Sequence, residues 1–233
     1  MITGSSGFSG CRTALYLAHQ KNVDQVIGVD CVGPKVFHPK LESHVVDLTD
    51  WSTFGPLMNY EPDVMVHTAA DQSTPYLLHA NSVGMKNLLD YCAEKNVERF
   101  FFFSSFYASM RCYNNYRFGK LQSEHDLRKS GMRYVTVRPD TIYGYGEPKY
   151  DTFMNAIKKH MVPVIGDGKY SRTPCYVWAV ATAVHKILSE DNYTNDIYEM
   201  GSPTSYTWNE MMGLLARELD VQHYVSVPLP ALL

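Results

Sequence analysis

Three glycines spaced three residues apart open this chain, in the run Thr3-Gly4-Ser5-Ser6-Gly7-Phe8-Ser9-Gly10. A Cβ at the first or second glycine would block a tight strand-to-helix turn or hold a phosphate away from the backbone N–H groups. The third glycine lets helix and strand pack closely. Phe8, Cys11, Leu15 and Ala18 then share one helical face, as a helix buried against a sheet requires. The spacing predicts a short strand at Met1-Ile2-Thr3, a glycine turn, and a helix whose N-terminus can receive a diphosphate.

Val26-Ile27-Gly28-Val29-Asp30 reads as a second apolar strand ending in an acid, about 20 residues past the last glycine, where dinucleotide-binding folds hold the adenosine ribose. Asp30 should favour NAD, because a 2′-phosphate would meet its negative charge and no Arg follows immediately; a strand-end turn is the plainer alternative. Val45-Val46-Asp47-Leu48 is expected to end a third strand, Val64 to Ala70 to form a fourth, and Arg99 to Ser105 to contain a fifth, with helices alternating throughout. The fold class this predicts is α/β: a doubly wound parallel sheet of Rossmann type over residues 1–140. A small substrate-binding cap over 141–233 follows, partly interleaved with the sheet, to which Ile197 to Met200 returns as a strand. Substrate is expected in the crevice beyond the strand ends. The short first strand and the Pro-rich stretch from Val225 to Leu233 read as trimmed ends.

With 233 residues, 45% hydrophobic and 19% charged, the chain can bury a real core. A net charge of -3 gives no electrostatic case for nucleic acid or an anionic membrane. The five cysteines form no C-x-x-C, and read as reduced thiols of a cytoplasmic protein. No signal peptide, no apolar run of ~18 residues and no paired histidine pattern is present, so neither a membrane span nor a metal is expected. Trp208, Met211, Met212, Leu215 and Leu219 repeat at helical spacing and read as core.

A Tyr and a Lys one helical turn apart lie on one face and can share a substrate and a cofactor. The spacing Y-x-x-x-K occurs three times. Tyr91 and Lys95 belong to a segment that looks like core packing, and Tyr145 and Lys149 bracket Gly146 and Pro148, which no regular helix spans. Tyr116 and Lys120 instead follow the Ser104-Ser105 end of the fifth strand and open a helix running to Leu127.

These residues resemble the extended short-chain dehydrogenase/reductase family, in its nucleotide-sugar epimerase and dehydratase branch. Thr3 to Gly10 resembles TGxxGxxG, Asp47-Leu48 the adenine-binding strand end, and Thr68-Ala69-Ala70 the small-residue segment along the cofactor. Asn81 is similar to the Asn that opens the next helix, and Tyr116 to Lys120 to YGxSK. Arg138-Pro139 with Ile142-Tyr143-Gly144 resembles RPxxVYGP beside the nicotinamide. Gly166-Asp167-Gly168 with Arg172 and Tyr176-Val177 is similar to GDGxxxRDxxYV of sugar-nucleotide enzymes.

The resemblance implies NAD as cofactor, held by Gly4, Gly7, Phe8, Gly10, Asp30, Asp47, Leu48, Thr68, Ala69, Ala70, Tyr116, Lys120 and Pro139. It implies Tyr116 as proton carrier, Lys120 as its electrostatic support, and Ser105 holding the substrate oxygen, with Ser104 as the alternative serine. Arg172 would clamp a diphosphate, and Tyr107 is a further substrate-binding or acid/base candidate. The Asp-Glu pair of dehydratases is replaced by Phe106 and Tyr107, which disfavours dehydration. The function so implied is an NAD-dependent epimerase or oxidoreductase acting on a hydroxyl of a nucleotide sugar, forming a homodimer through helices at Val83–Cys92 and Tyr116–Leu127. Two alternatives stand beside it: an NAD(P)H-dependent carbonyl reductase or hydroxysteroid-type dehydrogenase, and a non-catalytic NAD-binding scaffold.

Overall fold

The structure, a computed structural model, describes residues 1–71, 77–111, 113–191 and 193–229. Its centre is a seven-stranded sheet in which every pairing is parallel. The strands are β1 (Ile2–Thr3), β2 (Val26–Asp30), β3 (Leu41–Val45), β4 (Val64–His67), β5 (Arg99–Phe103), β6 (Arg133–Pro139) and a late strand, β11 (Asp196–Met200), in the order β11-β6-β5-β4-β1-β2-β3. Strand order reverses between β1 and β4, and open α/β sheets hold ligands beyond the carboxyl ends of their strands at such a point.

Helices cover the sheet because its strands are apolar on both faces. In β5 the run Arg-Phe-Phe-Phe-Phe buries Phe100 and Phe102 in a core with Leu88, Tyr91 and Leu127. Phe101 and Phe103 alternate to the other face, their rings 5.4 Å apart. The first core is supplied by α2 (Leu77–Glu94) and α3 (Asn115–Lys129), which pack together. A second pair, α1 (Phe8–Ala18) and α5 (Val177–Ser189), also packs together. Tyr91 is fully buried and donates its hydroxyl to the Leu57 and Tyr60 carbonyls at 3.1 and 3.3 Å, a core role.

The chain divides into two compact units, the sheet unit (Met1–Pro139 with Val177–Met200) and a second unit (Asp140–Tyr176 with Gly201–Leu233). The second contains α4 (Pro148–Lys158), α6 (Trp208–Glu218) and three small ladders. In these β7 (Ile142–Tyr143) pairs with β10 (Cys175–Tyr176), β8 (Met161–Ile165) with β13 (Val225–Leu229), and β9 (Ser171–Arg172) with β12 (Tyr206–Thr207). Its core joins Ile157, Val162, Trp208, Met211 and Met212, with Leu215 and Leu219 packed against it. A Thr207–Glu210 capping box starts α6.

Several boundaries differ from the sequence expectation. The third strand ends at Val45, not Leu48, because the Asp47 carboxylate turns back onto the Thr49 N–H at 2.8 Å. The fourth ends at His67, where the Thr68 hydroxyl donates to the Thr3 carbonyl at 2.7 Å, and the fifth ends at Phe103. Strand and helix do not alternate throughout. No helix lies between β2 and β3, a connection carrying Pro34 and Pro39, and a 3₁₀ helix (Trp51–Asn59) joins β3 to β4. Asn81 does not open a helix but lies inside α2, where its side chain makes two hydrogen bonds to the Asp71 backbone, at 2.9 and 3.0 Å.

Candidate active site

The glycine turn is built from close approaches. Gly4 takes a positive φ of 74°, and a Cβ there would lie 2.6 Å from the Ala69 nitrogen. A Cβ on Gly10 would stand 1.9 Å from the Gly4 carbonyl oxygen and 2.6 Å from Thr68 Oγ1. Glycine there lets α1 begin directly above β1, so the helix N-terminus opens at the strand ends. Gly7 is the N-cap of α1, with no side chain to occupy the first N–H groups. Asp30, the last residue of β2, accepts the Ser6 N–H at 2.9 Å, which fixes its carboxylate beside the turn. Phe8 lies under the Arg12 guanidinium at 4.3 Å. Thr68, Ala69 and Ala70 follow β4 half-buried, and Thr68 and Ala69 close against Gly4. Asp47 and Leu48 lie just past β3, and Pro139 is the buried last residue of β6.

Tyr116 and Lys120 occupy the first turns of α3, started by Asn114, whose side chain accepts the Arg117 N–H at 2.7 Å. The Lys120 ammonium lies 5.8 Å from the Tyr116 ring, Tyr107 meets that ring edge-on at 6.1 Å, and Ser105 Oγ accepts the Tyr107 N–H at 3.2 Å. Burial pushes the phenol up, the Ser105 hydroxyl pulls it back, and Tyr107 pushes it up again. Lys120 is buried, donates to the Phe103 carbonyl at 2.7 Å, and lies over the Phe102 ring at 4.9 Å. Burial brings its ammonium down to about 7, against an opposing pull from Glu124. His67, hydrogen-bonded through Nδ1 to Thr3 Oγ1 at 2.7 Å, is held neutral, its pKa lowered to about 3 by burial and then by Lys120.

The two serines have different partners. Ser105 Oγ accepts the Tyr107 N–H at 3.2 Å, whereas Ser104 turns its hydroxyl to the carboxylate of Glu124. Of the other Tyr-Lys spacings, Tyr91 is core and Tyr145 is an exposed turn residue.

Arg172 belongs to the second unit, on β9. Its Nη1 is 3.4 Å from Asp140, whose side chain is 5% exposed. Asp140 also accepts from the backbone and hydroxyl of Thr141 and of Thr173. Glu124 and Asp140 belong to no motif singled out in the sequence. Each lies a short fixed distance from a motif, Glu124 four residues past Lys120 and Asp140 directly after Arg138-Pro139, and that spacing was the available signal. Among the described residues no group of three or more His, Cys, Asp or Glu could hold a metal, and no helix is long and apolar enough to cross a membrane.

A parallel sheet of this order with a glycine turn at its switch point defines a dinucleotide-binding α/β protein. The profile of the NAD dependent epimerase/dehydratase family matches residues 1–201, and the chain belongs to that family. It is 31% identical over 105 residues to the dTDP-L-rhamnose 4-epimerase of Burkholderia thailandensis, covering 39% of this chain and 29% of that protein. It is 25% identical over 146 residues to the mitochondrial NADH-ubiquinone oxidoreductase 40 kDa subunit of Neurospora crassa, covering 62% and 38%. The chain thus spans about a third of the length of these curated relatives. Among solved structures, the UDP-glucose 4-epimerase of Thermotoga maritima with UDP-glucose superposes with a TM-score of 0.83 at 23% identity, over 97% of this chain and 84% of that one. The family is NAD-dependent, and the turn fits that cofactor: Gly4 and Gly10 let it close tightly against Thr68 and Ala69, and Gly7 as N-cap puts no side chain over the first N–H groups of α1.

Proposed function

We propose that the chain is an NAD-dependent epimerase or oxidoreductase acting on a hydroxyl of a nucleotide sugar. The observation that carries this reading is the contact set at the head of α3. Tyr116 and Lys120 lie one turn apart, the Lys120 ammonium anchored at the Phe103 carbonyl and 5.8 Å from the Tyr116 ring. In this reading NAD, held by the glycine turn, Asp30 and Lys120, supplies the hydride acceptor and donor. Ser105 holds the substrate oxygen against Tyr116. Tyr116 takes the hydroxyl proton as the alcohol is oxidised and returns it on reduction. Its phenol is pushed up by burial, so it needs positive charge nearby, which Lys120 supplies from the same helix face. Arg172 would bind the substrate diphosphate with a guanidinium already oriented by Asp140. The rhamnose epimerase relative supports a sugar-nucleotide substrate. Free thiols at Cys11, Cys31, Cys92 and Cys175 support a cytoplasmic location. The exposed Leu78 and Phe118 of α2 and α3 support a homodimer through those helices.

Mass spectrometry of ligands released from the purified protein, followed by kinetics of Tyr116→Phe, tests the reading. Bound NAD is expected, with the variant keeping NAD affinity and losing at least ~10²-fold in turnover on a UDP- or dTDP-sugar. A protein that binds no NAD, or a variant with parental turnover, overturns it.

A further inference from the structure

Behind the Tyr116–Lys120 pair lies a buried charged network that the reading above does not use. Glu124, 4% exposed, follows Lys120 by one turn of α3. Its Oε1 accepts from Arg138 Nε at 2.8 Å and its Oε2 from Arg138 Nη2 at 2.6 Å, a two-pronged ion pair with the end of β6. The same Oε1 accepts the Ser104 hydroxyl, at the end of β5 and next to Ser105. Arg138 is held from its far side, since its Nη1 donates to Ser109 Oγ at 3.1 Å and Ser109 donates to Glu199 at 2.6 Å on β11. One carboxylate therefore joins the helix bearing the pair to the two strand ends beside it.

We propose that Glu124 is the positioning residue of the Tyr116–Lys120 pair, its carboxylate keeping the buried Lys120 ammonium charged while tying the ends of β5 and β6 to α3. The proposal rests on the reading of Tyr116 and Lys120 as the reacting pair. The charged and titratable groups around Lys120 are Glu124 and Tyr116 on its own helix and His67 on β4, with Arg138 on β6 one step further out, bonded to Glu124. His67 is neutral, and Arg138 is positive. Glu124 is thus the anion among them, and it opposes the burial that drives Lys120 toward its neutral form. A neutral Lys120 would leave the Tyr116 phenolate without its cation.

The test reads Lys120 directly, by following lysine side-chain nitrogen resonances against pH in the isotope-labelled protein. The Lys120 signal is identified by its loss in Lys120→Met. In the parent it should titrate near 7, far below ordinary lysines. Glu124→Gln should move that midpoint down by about one pH unit or more, and Glu124→Asp should restore most of the difference. If Glu124→Gln leaves Arg138 too poorly compensated to fold, Glu124→Gln with Arg138→Gln is compared with Arg138→Gln alone, and the midpoint should lie lower in the double variant. A folded variant in which the Lys120 midpoint does not fall overturns the proposal, because a merely structural Glu124 would alter stability without moving that titration. NAD binding by Lys120→Met is measured alongside. Undiminished affinity there counts against the cofactor reading, while the nitrogen titration still judges Glu124.

Discussion

Gly10→Ala puts the glycine turn to its sharpest trial. The added methyl would stand 1.9 Å from the Gly4 carbonyl oxygen, short of ordinary contact by about 1.5 Å, with Thr68 Oγ1 also too close at 2.6 Å. The neighbour is backbone and cannot swing aside, since the same carbonyl accepts the Gly7 N–H at 2.9 Å and Gly4 is held to the Val29 carbonyl at 2.8 Å. The first turn of α1 must retreat from β1. Overpacking of this kind costs about 1–3 kcal/mol, and the rigid contact argues for the upper end. A retreat of that size would also break at least one hydrogen bond from the turn to a phosphate, worth about 1.5–3 kcal/mol, so NAD affinity should fall roughly 10- to 100-fold. Urea unfolding and calorimetric NAD titration measure the two effects. Gly55→Ala is the control, because a Cβ there meets nothing within 4 Å, and it should change neither by more than about 0.5 kcal/mol. Gly10→Ala with parental stability and NAD affinity within twofold of the parent would refute the turn as the diphosphate cradle.

Three further outcomes are expected. Asp30→Ala removes the acceptor of the Ser6 N–H and the charge that opposes a 2′-phosphate, so the preference for NAD over NADP should shrink by about tenfold; equal affinities for both in the parent would sink the ribose contact. Arg172→Leu should weaken UDP or dTDP binding by roughly 1.5–3 kcal/mol and leave NAD affinity unchanged, and equal nucleotide binding by both proteins removes Arg172 from the substrate site. Lys120, lowered by burial from 10.5 to about 7, binds fewer protons folded than unfolded between those values, so it should make the protein more stable as pH rises through that window, by ~1.4 kcal/mol per pH unit. Urea unfolding of parent and Lys120→Met at pH 7 and 9 checks this, and a stability difference that does not change with pH would contradict it.

What could be read from the sequence was local. The glycine spacing, the Val26–Asp30 strand and the α3 segment each depend on residues close along the chain, and the structure places them as read. The choice between Ser104 and Ser105 was not legible, because counting residues does not say which side chain of an extended pair turns to α3's Glu124. The end of β3 was misplaced because an Asp side chain closing a turn leaves no mark in hydrophobic pattern. The Glu124–Arg138 and Arg172–Asp140 pairs join residues 14 and 32 positions apart, and only tertiary packing brings them within reach.

The last strand of the central sheet arrives late. During synthesis the ribosome releases β6 at Pro139, then all of Asp140–Tyr176 from the other unit, before α5 and β11 emerge to complete the sheet. Until then β6 has unpaired amides and carbonyls along Val135 to Arg138, where the Asp196–Met200 strand will dock, and α1 lacks its packing partner. A nascent or truncated chain ending near residue 140 therefore carries an open β edge of the sort that recruits other chains. Chaperone demand should peak over that interval of translation, and a limited-proteolysis fragment that retains the glycine turn should stay in solution only if it also retains the segment through Met200.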